Sequence, residues 1–233
     1  PAAVIRNEEG ANFTVDLTTT TALLGELGSV HVAGIDMYSP QNDLTRPSGQ
    51  LINKGNLEVS VTGETGLMYG IVYDGGSNAV FDNQGTMTID VTKSAADIYT
   101  AQGLSLRNGG SYKNSGDLTI NINWQGGQPD AYGIYLLGAE DADSLRSFEN
   151  SGSLSITLTD AKVSATSEQV QGRGIGIRLN QNTSFTNKAE GEICSKRALV
   201  KIGAGMVLKI KSKEDNSQSE SCSKEMICAP VKE

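Results

Sequence analysis

FDNQGTMTIDV, residues 81–91, reads as a strand with a glycine near its start and an amide beside the phenylalanine, where the core should be. The same words return as LINKGNLEVSV from 51, YKNSGDLTINI from 112 and FENSGSLSITL from 148. Aligned on the asparagine, Asn53, Asn83, Asn114 and Asn150 stand 30, 31 and 36 residues apart. Weaker copies surround Asn7, in VIRNEEGANFTVDL, and Asn187, in FTNKAEGEI, which makes six units.

After each glycine comes an alternating run. Leu57, Val59 and Val61 match Met87, Ile89 and Val91, then Leu118, Ile120 and Ile122, then Leu154, Ile156 and Leu158. Period two predicts a strand with one buried face. A second run follows in each unit: YGIVY at 69, QGLSL at 102, YGIYL at 132 and RGIGIRL at 173. Ile71, Leu104, Ile134 and Ile175 are expected to point one way. The spacers between the two runs vary freely in length, as loops of a stacked array do.

Each unit therefore has three short strands and about 30 residues. A propeller blade would need four antiparallel strands of similar length and tight hairpins. The F-x-N piece is too short for that, so the expected fold is all-β, a single right-handed parallel β-helix of about six coils. In such a coil each residue stacks on its equivalent about 4.8 Å away. Asn53, Asn83, Asn114, Asn150 and Asn187 are then expected to form an internal ladder, because a buried amide needs amide partners. Phe81, Tyr112, Phe148 and Phe185 sit two residues earlier, on the same face. The glycine two residues after Asn53, Asn83, Asn114 and Asn150 takes the bend, where the backbone is left-handed or too crowded for a side chain.

The expected organisation is a β-helix over residues 1–210 and a C-terminal cap or linker over 211–233. The irregular segment 18–50 is the candidate cap at the other end. Stacking leaves open sheet edges that need covers. No run of 18 apolar residues is present, so no transmembrane helix is expected. Net charge is −8 and there is no basic stripe, which argues against nucleic acid and anionic membranes.

At this point the residues resemble a family. F-x-N-x-G-x-L-x-I-x-V, with Y-G-I between copies, is similar to the passenger domains of autotransporters, the self-delivered surface proteins of Gram-negative bacteria. The resemblance spans about residues 1–210. It implies a secretion signal and a C-terminal membrane barrel outside this sequence, and a cysteine-poor passenger. Residues 1–193 carry no cysteine; Cys194, Cys222 and Cys228 depart from the pattern. It implies an exported, non-enzymatic adhesin on the outer face of the cell. Its partner would be a host-surface protein, a glycan or its own copies, with no cofactor and no membrane insertion of this segment.

Catalytic chemistry finds little footing. The one histidine, His31, lies between Val30 and Val32 and reads as an outward strand residue, and no G-x-S-x-G elbow is present. Glu140, Asp141 and Asp143 form the densest acidic cluster; they read as a solvated loop, with a calcium site as the alternative. Two other functions stay open: a β-helical carbohydrate-active enzyme, and a stalk that displays another domain. A ligand patch on this fold would draw on Trp124, Asp130, Tyr132 and Tyr135, since aromatic faces stack on sugars. Cys222 and Cys228 are spaced to close a small disulfide, with metal binding or free thiols as alternatives.

Overall fold

The computed structural model describes residues 3–19, 31–38, 49–64, 66–74, 79–94, 99–107, 110–124, 130–137, 146–160, 174–180, 183–188, 192–196, 221–223 and 226–228. The chain is all-β, and its strands follow the repeat. The first coil holds β1 (Val4–Asn7), β2 (Asn12–Thr18) and β3 (His31–Tyr38). The second holds β4 (Gln50–Asn53), β5 (Asn56–Gly63) and β6 (Leu67–Asp74). The third holds β7 (Val80–Asn83), β8 (Thr86–Lys93) and β9 (Ala101–Arg107). The fourth holds β10 (Ser111–Asn114), β11 (Asp117–Trp124) and β12 (Ala131–Leu137). The fifth holds β13 (Arg146–Asn150), β14 (Ser153–Asp160) and β15 (Gly174–Leu179). The sixth starts with β16 (Thr183–Asn187) and β17 (Glu192–Lys196).

Equivalent strands pair in parallel from coil to coil and build three open sheets, a parallel β-helix of about six coils. The first sheet runs β1-β4-β7-β10-β13-β16, the second β2-β5-β8-β11-β14-β17, and the third β3-β6-β9-β12-β15. Segment 18–50 was expected to be irregular; its residues 31–38 instead form β3 and complete the first coil. Two short strands, β18 (Ser221–Ser223) and β19 (Met226–Cys228), lie antiparallel on β17 and β16 at the far end.

The inward residues make one continuous core. Leu57, Val59 and Val61, then Met87, Ile89 and Val91, then Leu118, Ile120 and Ile122 are buried in register. Phe148 and Phe185 stack nearly parallel with centroids 5.3 Å apart, while Tyr112 meets Tyr73 edge-on at 6.3 Å. In the third sheet the column is Ile71, Leu104, Ile134 and Ile177, not Ile175. RGIGIRL contains the Gly-Ile word twice, and the backbone stacks Gly133 against Gly176, which moves Ile175 opposite Tyr132.

The asparagines stand where the first sheet bends into the second. Each donates from Nδ2 to Oδ1 of the next: Asn7 to Asn53 and Asn53 to Asn83 at 2.8 Å. Asn83 to Asn114, Asn114 to Asn150 and Asn150 to Asn187 follow at 2.7 Å. The second amide hydrogen meets a backbone carbonyl, as in Asn53 to Thr86 and Asn114 to Ser153, both 2.9 Å. All six side chains are buried, and all five links point toward the C-terminal end.

Crowding, not a left-handed backbone, explains the glycine. A Cβ on Gly85 would lie 2.2 Å from the Gly55 carbonyl oxygen, and one on Gly116 2.0 Å from that of Gly85. Positive φ among the described glycines occurs instead at Gly10, Gly66 and Gly110. The glycine lets successive bends approach closely enough for backbone pairing to continue round the corner. There the Asn83 carbonyl accepts N–H bonds from both Ser115 (2.8 Å) and Gly116 (3.1 Å).

Candidate functional site

Strict alternation would put Tyr132 on the same side as Ile134, but β12 departs from it. Ile134 belongs to the core, and a Cβ on Gly133 would strike Ile156 of the core at 2.5 Å. Two successive residues therefore face inward, and Tyr132 and Tyr135 emerge together on the outer side of the third sheet. Their rings stack with centroids 5.3 Å apart at 21°.

Arg178 of β15 completes the cluster. Its register partner is Tyr135, its guanidinium carbon lies 4.9 Å from the Tyr132 centroid and 5.4 Å from that of Tyr135, and its Nη1 donates to the Tyr132 hydroxyl. Tyr132 Oη lies 3.4 Å from Asp130 Oδ2, and Asn180 Nδ2 donates to Tyr135 Oη at 3.4 Å. Burial pushes the Tyr132 phenol up; Arg178 pulls it back. Asp130 is itself buried.

A smaller version of the arrangement stands on the N-terminal side. Arg107 of β9 donates from Nη2 to the Tyr69 hydroxyl at 2.6 Å and from Nε to Ser105 Oγ at 3.2 Å, with its Cζ 5.3 Å from the Tyr69 ring. His31, exposed at the start of β3, approaches the same ring at 4.6 Å. Gln102 lies in register between Tyr69 and Tyr132. Its Nε2 donates to Thr100 Oγ1 at 3.0 Å, and its Oε1 is buried without a partner among the described residues.

Of the four residues proposed for a ligand patch, Asp130, Tyr132 and Tyr135 come together. Trp124 does not join them. It ends β11, faces the core at 6% exposure, and packs where Gly174 leaves room: a Cβ there would lie 2.9 Å from the indole. Sequence reasoning missed Arg107, Arg178, Tyr69 and Gln102. The signal for the arginines was present, since each lies at or near the end of a third-strand run, in GLSLR and GIGIRL.

The acidic cluster Glu140, Asp141 and Asp143 lies outside the described residues. Cys222 and Cys228 lie on β18 and β19, which belong to different sheets. Among the described residues no group of three His, Cys, Asp or Glu side chains converges as a metal site. No helix among them is long and apolar enough to cross a membrane. The outer cluster holds an aromatic pair, one cation and a buried carboxylate, chemistry suited to holding a polar ligand.

Comparison with protein families, with curated proteins and with solved structures finds no match to the chain.

Proposed function

We propose that this chain is an exported, non-enzymatic binding module of the autotransporter-passenger kind, displayed on the bacterial surface. It would bind a host-surface protein, a glycan or its own copies through a rigid polar face. The observation that carries this reading is the outer side of the second sheet. There Thr18, Thr62, Thr92, Asn123 and Thr159 form one column, and Asp16, Ser60, Asp90, Asn121 and Thr157 the next. Asn121 donates to Asp90 across coils at 2.8 Å, so those two groups are held in place rather than left to rotate. Five coils of hydroxyl, amide and carboxylate groups at one strand spacing offer many weak hydrogen bonds in parallel. The net charge of −8 keeps such a face from anionic partners and suits neutral glycans or a matching polar sheet.

Self-association is the most direct test. Sedimentation of the full chain over a wide concentration range should reveal reversible association, and binding to an array of neutral glycans should appear if sugars are the partner. The triple variant Thr62→Lys, Asn123→Lys, Thr159→Lys, with an unchanged circular dichroism spectrum, should lose either activity. A parent protein that neither associates nor binds glycans or host-surface protein would overturn the proposal and leave the stalk reading.

A further inference from the structure

The C-terminal strands reverse the direction of the helix that they end. β17 pairs in parallel with β14 on one side and antiparallel with β18 on the other. The register on that last pairing is Ile193 with Ser223, Cys194 with Cys222, and Ser195 with Ser221. Two of the three cysteines in the chain are thus direct cross-strand partners. Directly opposed Cα atoms in an antiparallel pair are about 4.5 or 5.5 Å apart, within the span of roughly 4.4–6.8 Å that a disulfide bridges.

We propose that Cys194 and Cys222 form a disulfide that clasps the reversed C-terminal strands onto the last coil, with Cys228 left as a thiol. The competing pairing is Cys222 with Cys228. Those two residues sit on strands of different sheets, Cys228 opposite Phe185 in the first and Cys222 opposite Cys194 in the second. Neither is the cross-strand partner of the other. β18 and β19 are three residues each, and each pairs with its coil at three positions, so a covalent link would decide whether they stay. The bond forms by exchange with a small-molecule disulfide. One cysteine thiolate attacks it and displaces a thiol. The second thiolate then attacks the mixed disulfide and releases the other. The protein loses two electrons and two protons, and the donor disulfide is reduced to two thiols.

The tryptic map separates the three cysteines, because Lys188, Lys196, Lys213, Lys224 and Lys232 place each in its own peptide. The full chain would be equilibrated with oxidised and reduced glutathione, alkylated without reduction, digested and analysed by mass spectrometry. The expected product is peptide 189–196 joined to peptide 214–224, lighter by two hydrogens, with Cys228 alkylated. Cys228→Ser should keep that linked pair. A Cys222–Cys228 or Cys194–Cys228 link in the parent chain, or three alkylated cysteines, would overturn the proposal. Each overturning outcome is read in the parent chain.

Discussion

Down the corner between the first and second sheets the column reads Asn7, Asn53, Asn83, Asn114, Asn150, Asn187. Down the outer side of the third sheet it reads Tyr69, Gln102, Tyr132, Ile175. Both columns have the same backbone spacing, and both are almost wholly buried. They differ in what satisfies each residue. In the corner the partner is the same group one coil away, so identity must repeat or the ladder stops. On the outer side the tyrosines find private partners, Tyr69 in Arg107 and Tyr132 in Arg178. Repetition there would gain nothing, and the chain is free to vary.

The largest effect should come from breaking the ladder in its middle. Asn114→Ala removes the acceptor for Asn83, the donor to Asn150 and the donor to the Ser153 carbonyl. Several buried groups then lose partners at once, at about 3–5 kcal/mol by urea unfolding. Asn7→Ala, at the head of the ladder, strands only Asn53 Oδ1 and the Asn56 carbonyl beyond its own turn, and should cost about 1–2 kcal/mol. Equal losses at the two positions would mean that the amides act singly, and the contrast between the columns would fail. The bend glycine comes next. Gly116→Ala sets a methyl against the Gly85 backbone carbonyl, which cannot rotate away, and should cost about 2–3 kcal/mol. Gly10 has open space around it but a φ of 75°, so alanine there tests the backbone alone and should cost about 1 kcal/mol.

The same difference sets what the sequence could tell. The asparagine, the aromatic two residues before it and the alternating run after it recur, so strand order, register and core in the first two sheets follow from counting residues. The outer side of the third sheet has no such key. Tyr132 and Tyr135 share a face only because Gly133 and Ile134 both turn inward, and a period of two hides that break. Ile175 was misplaced for a related reason, since a doubled Gly-Ile word has two in-phase alignments and only packing selects one. Trp124 enters the candidate ligand patch only as an aromatic face, yet its own position continues the inward series Leu118, Ile120, Ile122. The alternation through β11 already pointed it into the core.

The smallest effect should arise at the outer cluster, and it separates a private partnership from simple burial. Arg178→Ala removes a cation over two rings and a donor to the Tyr132 hydroxyl, and should cost about 0.5–1 kcal/mol near neutral pH. Burial holds the Tyr132 phenol above its ordinary value of 10.0, and Arg178 opposes that shift. A tyrosine raised in the folded state contributes stability fully present below the unfolded value. That contribution is lost as pH rises through the folded one. Both proteins should therefore lose stability in alkaline solution. Tyr73, raised chiefly by burial, adds to that loss in each. In the variant one tyrosine should titrate at higher pH than in the parent, read from tyrosinate absorbance. A titration that does not move, or moves down, would mean that the guanidinium serves Tyr132 as cover and not as charge, and the outer column would then be held by packing in the same way as the core.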